Sequence, residues 1–159
     1  HIGLSALIAA ACLNYPPPTE FLLGAKADVE AKDNNGDTAL RTAARIGCDK
    51  VVPILIRAKA QIEARNNKGE TALIAAVQTD RLSPLHALIE AKADVDARDK
   101  EGNTALISAA RQGRTGCVRV LLEAKANVRA CNDNGQNAVM AAGFHGHKDC
   151  EQLLRKSLE

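Results

Sequence analysis

One spacing governs what this chain can fold into. Gly3, Gly36, Gly69, Gly102 and Gly135 are each 33 residues apart, and the segments after these glycines align without a gap: LSALIAAACL, DTALRTAARI, ETALIAAVQT, NTALISAARQ and QNAVMAAGFH. A second set keeps the same register, as Ala25-Lys26-Ala27, Ala58-Lys59-Ala60, Ala91-Lys92-Ala93 and Ala124-Lys125-Ala126. A period of this length marks a supersecondary unit that cannot bury its apolar face alone, so stacked copies must supply one another's core and the fold is a solenoid. Five copies, the first and last incomplete, divide a single array over 1–159 at approximately 1–32, 33–65, 66–98, 99–131 and 132–159.

Each unit reads as a turn followed by two helices. Asp33-Asn34-Asn35-Gly36 carries Asp at the first turn position and Gly at the fourth, with NNKG, DKEG and NDNG as its counterparts, and these turns form hairpin tips. Thr38 then serves as the N-cap of a helix through ALRTAAR, with Leu40, Ala43 and Ala44 on its buried face; Thr71 and Thr104 repeat the role. Gly47 closes that helix in the left-handed conformation, and Asn14, Asp80, Gly113 and Gly146 at the same register tolerate it. A second helix runs through Val51, Val52, Ile54, Leu55 and Ile56 to end near Lys59, and an extended segment from Ala60 to Arg65 leads to the next turn. With 46% apolar but only 2% aromatic residues, the core is Ala, Leu, Ile and Val in thin layers, which argues against a deep ring-lined ligand cavity.

Two helices and a hairpin per 33 residues, carrying DxxGxTALxxAAxxG at Asp33 to Gly47 and LLxAKADVxA-like text at Leu121 to Ala130, resemble the ankyrin repeat, and the resemblance covers all five units. It implies an all-α solenoid of helix-turn-helix units joined by β-hairpin loops. There are three departures. The family's usual Pro after the Thr is Ala39, Ala72, Ala105 and Ala138; its usual His is Ile8, Arg41, Ile74, Ile107 and Met140; its usual Gly is Lys26, Lys59, Lys92 and Lys125. Ala forms helix better than Pro, but the family's Thr–His bonds between repeats are lost. If the lysine position is left-handed, a side chain there costs about 1 kcal/mol, and each Lys complements the negative end of its second helix. Pro53 falls near the second turn of its helix and is expected to bend it, whereas Pro16, Pro17, Pro18 and Pro84 lie in first turns.

Catalytic and metal chemistry find little support. His145, His147 and Cys150 form HxHxxC, but in register Cys150 takes the buried place of Val51 and His145 the exposed end of the first helix, so the three are expected to diverge. No nucleophile elbow or phosphate-cradling loop is present, since GDTAL and its copies belong to the repeat. Glu30, Glu63 and Asp96 recur at one register and are expected to be a solvated edge. We expect no cofactor, no metal, no small-molecule substrate and no catalytic residue. The five cysteines lack paired spacing and are read as reduced, buried thiols of a cytoplasmic or nuclear protein. The apolar start HIGLSALIAAACL lacks a basic leader and is the first helix of the first unit. No run approaches the roughly 18 apolar residues of a membrane span. A start at His1 and an end in Leu158-Glu159 suggest a portion of a longer protein with a cloning remnant.

What remains is a binding surface. Ankyrin arrays typically engage partners through hairpin tips and the inner-groove side of the first helices. Carried onto this chain, those positions are Lys32, Asn34, Asn35, Asp37, Arg41, Arg45 and Ile46; Arg65, Asn67, Lys68, Glu70, Gln78 and Thr79; Arg98, Lys100, Glu101, Asn103, Arg111 and Gln112; and Cys131, Asp133, Asn134, Gln136, Phe144 and His145. The face is mildly basic, and Arg65, Arg98 and Arg111 are the expected central contacts, because a guanidinium bonds a carboxylate bidentately. The expected function is a non-catalytic protein-binding module or scaffold for a partner with an acidic or mixed surface. The alternatives are a polyanion or nucleic-acid binder using the Arg edge and Lys ladder, or the scaffold region of a larger enzyme or receptor. A net charge of +2 and the want of stacking aromatics weigh against nucleic acid.

Overall fold

The computed structural model describes residues 5–79 and 81–158; Gly3 and Asp80 lie outside them. Among the described residues there are ten helices and no strand. The first helices of the units are α1 (Ala6–Cys12), α3 (Ala39–Ile46), α5 (Ala72–Ala76), α7 (Ala105–Arg111) and α9 (Ala138–Phe144). The second helices are α2 (Pro16–Gly24), α4 (Val51–Arg57), α6 (Leu82–Glu90), α8 (Thr115–Glu123) and α10 (Lys148–Lys156). Helices pack within pairs, as α3 on α4, and along each row, as α1 on α3 on α5 on α7 on α9. The molecule is thus an all-α solenoid two helices deep.

The caps expected from the sequence are formed. Oγ1 of Thr38, Thr71 and Thr104 accepts from the amides of Arg41, Ile74 and Ile107 at 3.3, 3.4 and 3.3 Å. Ser5 and Asn137 do the same for Ile8 and Met140 at 3.2 and 3.0 Å, so the side-chain oxygen matters and the residue type varies. Gly47 ends α3 at φ 85°, where an added Cβ would meet Arg81 Cδ at 2.7 Å. Asn14, Gly113 and Gly146 share the positive φ. The lysine ladder is left-handed too: φ is 60° at Lys26, 62° at Lys59, 66° at Lys92 and 67° at Lys125.

The core is one continuous apolar layer. Leu40, Leu73 and Leu106 of the first helices meet Leu55, Leu88, Leu121 and Leu154 of the second, all buried. Each fully buried Leu contributes about 1.5–3 kcal/mol, and the alanines between them let the rows approach closely.

Two local expectations are corrected. Pro53 does not sit in a second turn: α4 starts at Val51, so Pro53 is its third residue, among the four N–H positions that have no intrahelical acceptor anyway. The segment from Ala60 to Arg65 is not extended throughout, because Ala64 N donates to Gln61 O at 3.2 Å and a turn forms at Ile62-Glu63.

The units are stitched by polar joints at fixed registers. At the tips, Asn67 N donates to Asn35 O, Lys100 N to Lys68 O and Asp133 N to Glu101 O, at 2.9, 2.9 and 3.0 Å. Glu30, Glu63 and Asp96 lie along a solvated edge but also join the units: each accepts the backbone N–H of Gln61, Asp94 or Asn127 in the next unit, at 2.7, 2.9 and 2.8 Å. A third joint lies beyond the first helices, where Arg81 Nη1, Arg114 Nη2 and His147 Nε2 donate back to the carbonyls of Gly47, Gln78 and Arg111. No helix among the described residues is long and apolar enough to cross a membrane.

Candidate functional site

The hairpin tips are built by one side chain each. Oδ1 of Asp33 accepts from the amides of Asn35 and Asp37, both at 2.8 Å, and Asn66, Asp99 and Asn132 repeat this two-amide grip on their own tips. Gly36, Gly69, Gly102 and Gly135, all at positive φ, complete the turns. With the tips rigid and the first helices packed behind them, the space between becomes a groove.

Two clefts form this groove. One, of about 440 Å³, is lined by Asn67, Lys68, Glu70, Ile74, Gln78, Asp99, Lys100, Glu101, Asn103, Ser108, Arg111 and Gln112. The other, of about 400 Å³, is lined by Asn35, Asp37, Arg41, Arg45, Asn66, Asn67, Lys68, Glu70 and Gln78. They share Asn67, Lys68, Glu70 and Gln78 and so run into each other across α3, α5 and α7.

This geometry sorts the residues expected from the sequence. Asn35, Arg45, Asn67, Lys68, Glu70, Gln78, Lys100, Glu101, Arg111 and Gln112 come together on the groove walls. Lys32, Asn34, Ile46, Arg65, Thr79, Arg98, Phe144 and His145 do not line it. Asp37, Arg41 and Asn103 line it from below and are buried, not exposed as their register suggested. Arg41 is only 3% exposed because its Nη1 pairs with Asp37 at 2.5 Å and its Nη2 with Glu70 of the next unit. Asn103 Nδ2 donates to Asp99 and Glu101, while its Oδ1 accepts from Asn132 Nδ2 at 2.9 Å.

The three arginines expected at the centre are each engaged within the molecule. Arg65 Nη1 donates to Gly69 O at 2.8 Å and to Arg98 O. Arg98 Nη2 pairs with Asp133 at 2.9 Å, both side chains largely in solvent. Arg111 Nη2 donates to Asn103 Oδ1 at 2.8 Å. Lys32 Nζ likewise reaches Arg65 O at 3.0 Å. At the far end, Phe144 is 80% exposed and meets the His145 ring edge-on, with centroids 5.2 Å apart.

A protein family model described as "Ankyrin repeats (3 copies)" matches residues 7–99 and, overlapping it, 83–159. The chain belongs to the ankyrin repeat family. Repeats of this family are generally protein–protein interaction modules and typically non-catalytic. A comparison with curated proteins gave no match.

The histidines of this ankyrin array do not diverge as expected. The His145 and His147 rings stack with centroids 6.3 Å apart at 18°, while Cys150 turns into the core against Thr115 Oγ1 at 3.2 Å. Among the described residues no group of three or more His, Cys, Asp or Glu is placed to hold a metal ion. None of the five cysteines forms a disulfide, but Cys12 and Cys131 are exposed where buried thiols were expected; Cys48, Cys117 and Cys150 are buried. Burial, and then the neighbouring Cys12, pushes the Cys48 thiol above its ordinary value. Sequence reasoning missed Asn66, Ile74, Asp99 and Ser108 in the groove. Asn66 and Asp99 could have been found by their register, since each opens a tip whose amides its own carbonyl or carboxylate oxygen must hold.

Proposed function

We propose that this ankyrin array is a non-catalytic module that binds another protein along the groove between its hairpin tips and α3, α5 and α7. One observation supports the reading above others. The frame residues Thr, Leu and the Ala pair repeat nearly unchanged, while the groove position after them runs Arg45, Gln78 and Arg111, and the tip runs Asn35, Lys68 and Glu101. Arg45, Gln78 and Arg111 are not part of that repeated frame, and chemistry that changes from unit to unit on a concave wall is what partner recognition uses. The polyanion reading is weaker, because Asp99 and Glu101 share the groove with its cations. Core cysteines outside any disulfide favour a reducing compartment, cytoplasm or nucleus.

The test is a paired substitution. Gln78→Trp fills the groove, whereas Glu90→Arg alters an exposed residue of α6 away from it. A partner that crosslinks to the wild-type protein in extracts is expected to be lost with Gln78→Trp and kept with Glu90→Arg, both folded by circular dichroism. Retention of the same partner by Gln78→Trp would place recognition elsewhere on the molecule.

A further inference from the structure

The charges in the groove are not equally available. Its carboxylates are all ordered by internal donors: Asp37 and Glu70 by the Arg41 guanidinium, and Asp99 and Glu101 by the neutral N–H groups of Glu101, Asn103 and Asn103 Nδ2, which hold them without cancelling their charge. The cations divide differently. Arg41 is buried between two carboxylates, whose combined charge exceeds its own, so it offers no free cation. Arg45 is exposed and makes no ion pair among the described residues. Arg111 is half-buried, and among the described residues its guanidinium meets a neutral amide, Asn103 Oδ1. Asn103 is itself fixed by Asp99, Glu101 and Asn132, so it orients the guanidinium without cancelling its charge. An oriented, uncompensated guanidinium loses little freedom when a carboxylate arrives.

We propose that the groove takes an extended acidic segment of a partner protein, one carboxylate on Arg111 and a second on Arg45, with Gln78 between them. This deepens the protein-binding reading and rests on it. Arg45 and Arg111 occupy the same register two units apart, a separation of about 20 Å at one packed-helix spacing per unit. An extended chain advances about 3.3 Å per residue, so the two acidic residues stand about six positions apart. Lys68 and Lys100 on the facing tips add the same sign from the opposite wall, which also speeds encounter with an acidic chain.

The experiment uses fluorescein-labelled peptides about twelve residues long, enough to span the groove, in a Ser/Gln background. One carries two Glu six apart, one carries two adjacent Glu, one two Lys six apart, and one neither. Binding to the whole chain is followed by anisotropy. The spaced-Glu peptide is expected to bind tightest, and Arg111→Gln and Arg45→Gln each to weaken it by about tenfold, the scale of losing one hot-spot contact, while Arg57→Gln on α4 changes nothing. Arg45 is exposed, so Arg45→Gln carries the test should Arg111→Gln fail to fold. If the neutral or Lys peptide binds best and is lost with Gln78→Trp, the acidic partner is wrong and the groove reading survives. If no peptide binding responds to Gln78→Trp, both are wrong. A single-stranded oligonucleotide that outcompetes the spaced-Glu peptide and depends on Arg111 would likewise overturn an acidic protein partner.

Discussion

Lys59 and Arg41 show how far single side chains here depart from what their positions favour. Lys59 sits at φ 62° with its side chain exposed, a conformation that costs an L-residue about 1–2 kcal/mol. Lys59→Gly removes that strain but gives the unfolded chain more freedom, so the net gain is about 0.5–1 kcal/mol. The same change at Lys26, Lys92 and Lys125 should add nearly independently, because the sites lie a unit apart. Urea denaturation of the single and fourfold variants checks this; a fourfold variant no more stable than wild type would refute the strain. Arg41 occupies a register that is Ile8, Ile74 and Ile107 elsewhere, all buried. Arg41→Ile fits the space but leaves the buried Asp37 and the partly buried Glu70 without their cation, a loss of up to about 3–5 kcal/mol. Adding Asp37→Asn and Glu70→Gln is expected to recover most of it. No recovery in the triple variant would mean that the arginine contributes packing and not charge pairing.

At the scale of elements, the joints between units carry what the helices cannot. Asn14 Nδ2, at the left-handed residue that follows α1, donates to Asp49 Oδ1 at 2.8 Å, and Asn14 Oδ1 accepts from Lys50 N at 3.1 Å, tying α1 to the start of α4. That Asn14 bond, before the backbone and the nearby Arg81 and Lys50, holds the Asp49 carboxyl below its ordinary 3.8. A folded-state value below the unfolded one gives a contribution that is present above the unfolded value and lost as pH falls through the folded one. Asn14→Gly keeps the left-handed backbone and deletes both bonds, of which the one to Asp49 depends on the Asp49 proton. The gap in urea midpoint between wild type and Asn14→Gly is therefore expected to narrow on going below about pH 4; a gap constant with pH would show that the Asp49 bond is not coupled to the Asp49 proton.

These joints also mark where the sequence was legible. Caps, glycines and the Leu register are properties of one unit and repeat, so the helices could be read directly. A joint exists only once a neighbour is placed, which is why the bonds of Glu30 and Glu63 to the next unit went unread and why Arg41 read as exposed. The groove was legible as a register and not as a surface: Arg45 and Arg111 were named, but only the structure shows that Arg41 is neutralised and that Asn103 orients Arg111. Pro53 failed for a smaller reason, a helix boundary misplaced by about a turn.

For the whole molecule, a stack in which each unit touches only its neighbours has stability set by units plus interfaces. The two ends are then unlike the middle. Ile107 of α7 is 1% exposed under α9, whereas Met140 at the same register of α9 is 55% exposed. At the opposite end Phe21 of α2 is 75% exposed, while Ile54 and Val120 at its register are buried. The same substitution should thus have opposite consequences by position. Ile107→Lys buries a charge between units and is expected to unfold the array, while Met140→Lys stays within about 0.5 kcal/mol of wild type. Covering the end should do what burial does elsewhere. Fusing one further unit whose first helix packs on Met140 and whose outer face is polar removes that apolar surface from water and adds one interface, and the melting temperature is expected to rise by several degrees, as about 1 kcal/mol shifts a domain of this size by about 2–4 °C or more. The gain should vanish when Met140→Lys is made in the extended protein, since the lysine then becomes buried as it would be at Ile107. An extension that leaves the melting temperature unchanged, or that tolerates Met140→Lys, would show that nearest-neighbour packing does not govern this stack.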